Sequence, residues 1–269
     1  MPESAEVRLI VDQLNQSFQH QSVLNIEIVG GRFLKEGISN LNAINYPLDN
    51  CVFHAKGKFI YATFDQNVNL FITLGMSGSF SSSKTKHAAV KLTFSNQETY
   101  FTDIRHFGTF DIVTDLSLLK VKLDKLGWDP LQEPDKIDNV EFFKAFLNKF
   151  KSKPNKTIAE TLLDQSLFAG QGNYLKSDNL YLSKIDPRRM KDSLSEEEIK
   201  RLCLNLVKLV QESYQAQGGT SATFVDTHGN KGNYQFKAYR RKVDDLGNKV
   251  TRIVSPDKRA TYFVESIQK

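Results

Sequence analysis

The strongest constraint on the fold is a change in the spacing of apolar residues part-way along the chain. From Val23 to about Val113 they fall in short runs, at 23–29, 51–64, 69–74, 89–94, 99–104 and 109–113. These runs are rich in Val, Ile, Phe, Tyr and Thr and are separated by turn residues such as Gly30-Gly31 and Ser95-Asn96, the pattern of β-strands. Beyond residue 137 the spacing becomes helical. Val140, Phe143, Phe146, Leu147 and Phe150 share one face, and a second helix is predicted over 157–166. At Ser195 a capping box with Glu198 opens a third, with Leu194 placed to staple against Ile199 and the apolar stripe running to about residue 213. One helix precedes the strands, with Val7, Val11, Leu14 and Phe18 on one face from residue 3 to about 18. From residue 236 short strands return, with a hairpin turn at Leu246-Gly247-Asn248. The expected class is α+β: a β domain, a helical domain and a small β module.

Charge follows the same division. Of 36 Lys and Arg and 31 Asp and Glu, nine basic and four acidic residues fall in 236–269, so the first 235 residues balance at 27 of each sign. The whole net charge of +5 sits in the last 34 residues, as in a module that meets a polyanion such as nucleic acid. A charged fraction of 25% and a hydrophobic fraction of 40% exclude a disordered or collagen-like chain. Cys51 and Cys203 stand far apart without metal spacing, which argues against a disulfide scaffold or a Cys-based zinc site. With no apolar run of about 18 residues and no signal-like start, the chain is expected to be intracellular and soluble, in nucleus or cytoplasm.

The N-terminus offers chemistry of its own. Met1 precedes a small residue, so its removal is expected to expose Pro2 as a secondary amine. An α-amino group titrates at about 8, leaving a useful fraction unprotonated near neutrality. Such an amine attacks an aldehyde-like carbon to form a cationic iminium, an electron sink that permits elimination. Glu3 and Glu6 are placed to supply a general acid/base and a supporting carboxylate. A plainer reading is that Pro2 starts a helix and the glutamates complement its dipole.

Matches further along favour the chemical reading. Met1-Pro2-Glu3-Ser4-Ala5-Glu6 resembles the start of the formamidopyrimidine-DNA glycosylase and endonuclease VIII family, base-excision repair enzymes with an N-terminal proline nucleophile; Ser4 and Ala5 stand where the family usually has Gly and Pro. Gly57-Lys58-Phe59 resembles the segment whose lysine lies near the lesion's backbone phosphate. Leu74-Gly75-Met76-Ser77-Gly78 is similar to the loop whose apolar residue enters the gap left by an extruded base. Asp103-Ile104-Arg105-His106-Phe107-Gly108 resembles an Asp-Pro-Arg-Arg-Phe-Gly segment, which implies Arg105 facing the orphaned base, Phe107 wedging the stack and His106 in place of a phosphate-binding arginine. Gly170-Gln171-Gly172-Asn173, after Leu162-Leu163-Asp164-Gln165, resembles the turn of a helix-two-turn-helix motif, in which Gly172 and Asn173 would hold phosphates. Asp178 stands where the family usually has Glu.

Tyr239–Gly247 and Arg259–Gln268 resemble the two halves of the family's C-terminal zinc finger, with Arg259 at the tip beside the damaged nucleotide's phosphates. Val243, Leu246, Val264 and Ile267 occupy the four ligand positions, and none can bind zinc. A zincless finger is expected, its hairpin held by a hydrophobic cluster of these four; a plain basic hairpin fits the same pattern. Lys144, Lys149, Lys151, Lys153 and Lys156 are either further phosphate contacts or a solvated face. Gly218-Gly219-Thr220-Ser221 with Gly229-Asn230-Lys231-Gly232 resembles the purine-lesion loop of the formamidopyrimidine branch, whereas zincless fingers are commoner among members that favour oxidised pyrimidines.

The resemblance implies an N-terminal β-sandwich domain with flanking helices (2–115), a linker (116–137), a helical domain with the helix-two-turn-helix (138–235) and the finger (236–269). DNA would lie in the cleft between domains. It implies a bifunctional DNA glycosylase and AP lyase acting through a Schiff base on Pro2 and β,δ-elimination. No cofactor or metal is expected; the partner is damaged double-stranded or single-stranded DNA, with no membrane and a monomeric chain. A catalytically silent damaged-DNA binding protein and a nucleic-acid architectural module remain alternatives.

Overall fold

The computed structural model describes residues 2–220 and 224–269. Its compact units do not follow chain order. The first comprises residues up to Lys125 together with Gln217–Asn233, and the second Leu126–Ala216 with Tyr234–Lys269. Grouped by contact rather than along the sequence, the chain thus leaves the β unit, forms most of the helical unit, returns for 17 residues and leaves again.

In the first unit, two four-stranded antiparallel sheets face each other. One has the order β1 (Asn25–Ile28), β6 (Ala88–Thr93), β7 (Glu98–Asp103), β5 (Gly78–Ser81). The other runs β2 (Val52–Lys56), β3 (Phe59–Thr63), β4 (Asn69–Thr73), β8 (Thr109–Val113). Alternation along the strands sends Phe53, Ile60, Leu70, Ile72, Phe110 and Ile112 inward from the second sheet, against Ile26, Val90, Leu92, Phe80 and Phe101 from the first. The long run 51–64 is a hairpin, broken at Gly57, which takes a positive φ of 59°. Strand β5 was hidden by its composition, Gly-Ser-Phe-Ser, which has low strand propensity.

Helix α1 (Ser4–Phe18) closes the same core with Val7, Ile10, Val11, Leu14 and Phe18. A short α2 (Phe33–Glu36) follows β1. Helix α3 (Ser117–Asp124), inside the stretch expected to be a linker, buries none of its residues, which is why no apolar stripe announced it.

The second unit packs α4 (Val140–Ser152), α5 (Ile158–Thr161), α6 (Asn173–Ser183) and α7 (Glu196–Gln215) around Phe146, Phe150, Leu162, Phe168, Leu175, Leu202 and Leu206. The helix predicted over 157–166 lasts only four residues. After it the chain turns at Asp164, whose carboxylate accepts from the Ser166 N–H at 2.8 Å while its carbonyl accepts from Leu167 and Phe168. Strands β9 (Thr251–Val254) and β10 (Ala260–Phe263) form the terminal antiparallel hairpin.

Candidate active site and nucleic-acid interface

Pro2 is buried at the mouth of α1. Glu3 caps the helix in extended geometry, and its N–H donates to the Glu6 carboxylate at 2.8 Å. The other Glu6 oxygen accepts the Gly219 N–H, also at 2.8 Å. Both carboxylates are almost fully buried. Glu6 thus accepts from two backbone donors and ties the 217–220 loop to the first turn of α1. Gly218 has φ +91°, and a Cβ there would come within 3.1 Å of the Glu6 Cγ, so the loop's approach requires glycine. Ser221 of the resembling loop lies outside the described residues, as does Met1.

The loops bearing Met76 and Arg105-His106-Phe107 are tied together by a residue to which the sequence reading gave no role. Asp103, 2% exposed, accepts from Ser77 Oγ at 2.7 Å, the Arg105 N–H at 3.1 Å and the Gly108 N–H at 2.6 Å. Gly75 has φ +55°, and a Cβ there would fall 2.6 Å from the Phe107 carbonyl carbon, so the loops touch backbone to backbone. Above this joint, Met76 and Phe107 stand 37% and 57% exposed. The Arg105 guanidinium lies 5.2 Å from the centre of the Phe107 ring. His106 is exposed with a positive φ of 57°. Lys58 sits half-buried at the β2–β3 turn. Exposed large apolar side chains on a pinned base are what a wedge into a base stack needs.

In the second unit, Gly172 precedes the first turn of α6 and Asn173 opens it. The Asn173 Nδ2 donates to the Ala260 carbonyl of β10 at 2.8 Å, joining the turn to the strand that follows Arg259. Arg259 is exposed and lines a cavity of about 390 Å³ with Lys153, Lys156, Glu160, Asp164 and Asp257. The lysine run divides: Lys151 pairs with Glu196 at 2.7 Å, and Lys153 donates to Ser166 at 2.6 Å.

Three family models match in chain order. They are the formamidopyrimidine-DNA glycosylase N-terminal domain over residues 1–110, its H2TH domain over 126–225 and its C-terminal domain over 226–269. The chain belongs to the formamidopyrimidine-DNA glycosylase family. A formamidopyrimidine-DNA glycosylase of Mycoplasma genitalium is 28% identical, over 100% of this chain and 96% of its own. One from Desulfitobacterium hafniense is 29% identical over 94% of each. The crystal structure of MutM (Fpg) from Thermus thermophilus superposes with a TM-score of 0.85 at 27% identity, covering 99% of this chain and 98% of that one. The Lactococcus lactis Fpg in complex with abasic-site DNA gives 0.81 at 23% identity, covering 99% of each chain, and shares the fold.

For a member of this family the terminal hairpin is held in an unexpected way. The hydrophobic cluster anticipated from Val243, Leu246, Val264 and Ile267 does not form: Val243 and Leu246 are 50% and 78% exposed, while Val264 is fully buried. The first turn is organised by Asp244, whose carboxylate accepts from the N–H groups of Leu246 and Asn248, the Asn248 amide and the Tyr181 hydroxyl at 2.7–3.1 Å. At the second end the Gln268 amide bridges the Val264 N–H and the Ile185 carbonyl. Val243, Leu246, Val264 and Ile267 offer zinc no donor atom, and polar side chains close the turns.

Asp178 performs a similar service upstream. Fully buried, it accepts from Tyr234 Oη and from the N–H groups of Lys237, Ala238 and Tyr239 at 2.9–3.0 Å, clamping the approach to the hairpin onto α6. Burial pushes its carboxyl above the ordinary value, and these donors act against that. The sequence signal for Asp244 was its spacing to Gly247 and Asn248, an Asx-type turn. Asp178 had no local signal, since its partners lie about sixty residues away.

Proposed function

We propose that the protein is a bifunctional DNA glycosylase and AP lyase that removes oxidised bases. The observation that carries this reading is Pro2 at the head of a buried helix start, flanked by Glu3 and Glu6, in a chain matched by all three family domains. The unprotonated Pro2 nitrogen attacks C1′ of the damaged nucleotide, and the glycosidic bond breaks as the base leaves with a proton. Glu3 moves the proton that opens the sugar ring, leaving an iminium between Pro2 and C1′. Loss of a C2′ proton expels the 3′ phosphate, a second elimination expels the 5′ phosphate, and water hydrolyses the iminium to release Pro2.

Extrusion of the nucleotide costs a few kcal/mol, roughly, and less for a poorly stacked lesion. Met76, Arg105 and Phe107 offset part of that cost by filling the vacancy. Lys58, His106, Gly172, Asn173 and Arg259 hold phosphates. The L. lactis Fpg structures with abasic-site DNA and with DNA containing an N7-benzyl-Fapy-dG support damaged DNA as the partner. The finger works without zinc, on the strength of its four hydrocarbon residues and the Asp244 turn.

Borohydride reduction of the mature protein with abasic-site duplex tests the chemistry. A covalent protein–DNA adduct is expected, and it should disappear in Pro2→Gly or when residues are added before Pro2. DNA binding without any adduct would leave a catalytically silent binding protein instead. Prior treatment with a strong zinc chelator is expected to leave adduct yield and melting temperature unchanged; loss of either would refute the zincless finger.

A further inference from the structure

Lys176 stands in the first turn of α6 with no accessible surface. Physical chemistry disfavours it there twice over. An ammonium is costly to bury, and a cation at a helix N-terminus opposes the helix dipole. Its Nζ donates to the Asn173 Oδ1 at 2.9 Å. An ammonium only donates, so this bond fixes which end of the Asn173 amide is oxygen. The other end, Nδ2, donates one hydrogen to the Ala260 carbonyl at 2.8 Å, and a carbonyl only accepts. Both partners therefore enforce one orientation. Reversed, the amide would point its oxygen toward an approaching phosphate and repel it.

We propose that Lys176 is a positioning residue for DNA: it locks the Asn173 amide with its NH₂ group available to a phosphate oxygen and adds a buried positive charge behind that contact. The cost of burying it in the wrong half of the dipole is the counterpart of a turn prepared for an anion. The assignment rests on the reading of Asn173 as a phosphate ligand. Lys176 touches no reacting atom, so its effect falls on DNA affinity and leaves the chemical step alone.

The test uses the full mature protein, a duplex with a tetrahydrofuran abasic analogue for affinity, and borohydride trapping on an abasic duplex at saturating DNA for chemistry. Lys176→Met is nearly isosteric and removes the donor and the charge. It is expected to weaken affinity by roughly tenfold to a hundredfold, the range of a hydrogen bond to a charged group, with the trapping rate at saturation unchanged. In Asn173→Ala the further change Lys176→Met should cost little, because the group it orients is gone. Full additivity of the two losses, or a Lys176→Met protein that folds and binds as tightly as the parent, overturns the proposal. Asn173→Asp keeps Lys176 in place and serves if Lys176→Met does not fold. Its carboxylate should pair with the ammonium, so a melting temperature at least equal to that of Asn173→Ala is expected, with weaker DNA binding. A lower melting temperature overturns the pairing. Failure of the parent protein to bind the analogue would remove the DNA-binding reading and Lys176's role together, whereas parent binding with additive variants removes Lys176 alone.

Discussion

Asp103 shows how much a single buried carboxylate can organise. Its three accepted hydrogen bonds fix the loops on either side of the exposed Met76 and Phe107, so its removal strands the buried Gly108 N–H and frees Ser77, which also accepts from the Arg105 N–H. Asp103→Ala is expected to cost about 2–4 kcal/mol of stability and to slow base excision more than cleavage of a preformed abasic site, which needs no base expelled. Denaturant melts and paired assays on the two substrates check this; equal loss on both would separate Asp103 from the wedge. Candidates whose proposed chemistry is local, Pro2, Glu3 and the Asn173 turn, could be picked out in sequence. Asp178 was visible as a letter but not as a role, because all its donors are brought by the fold from about sixty residues downstream, whereas Asp103 and Asp244 combine local turn donors with one distant hydroxyl each, from Ser77 and Tyr181.

At the scale of elements, the best-read helix is also the best-buttressed. The α7 start has its capping box, and Glu198 additionally takes two hydrogen bonds from the Arg189 guanidinium at 2.6 and 2.9 Å. Chiefly through that guanidinium, the Glu198 carboxyl is held below its ordinary range. A carboxyl depressed in the folded state stabilises the protein above its unfolded value of about 4.3 and ceases to do so as pH falls through the folded value. Glu198→Gln should therefore lower the stability at pH 7, by about 1 kcal/mol, and the difference from the parent should begin to shrink as pH drops below about 4.3 and vanish below the folded value. A difference that does not shrink at all on acidification would place the effect in packing rather than charge. Strands with β-branched and aromatic alternation and helices with a buried stripe were readable. The solvent-covered α3, the Gly-Ser strand β5 and the truncated α5 were not, since turn hydrogen bonds and exposure leave no periodic trace.

For the whole molecule, the +5 charge confined to residues 236–269 predicts a binding mode more than a fold. Arg240, Arg252 and Arg259 belong to this basic tail, whereas Lys91 in the β unit is engaged by Glu27 and Glu98 at 3.2 and 3.1 Å. Duplex affinity should fall steeply with salt. Each of Arg252→Gln and Arg259→Gln is expected to reduce the slope of log affinity against log salt by roughly 0.9 if one phosphate contact is lost, while Lys91→Gln leaves it unaltered. Identical slopes in all three variants would deny the tail its phosphate contacts.

The return of residues 217–233 to the β unit means that no single cut of the chain yields that unit whole. A fragment ending at residue 125 would contain Pro2, Glu3 and Glu6 but not Gly219, and the Glu6 carboxylate would lose a backbone partner supplied 213 positions downstream. The surroundings of the proposed nucleophile are thus completed only after most of the polypeptide has been synthesised, so a nascent or prematurely terminated chain carries Pro2 without the loop that Glu6 holds.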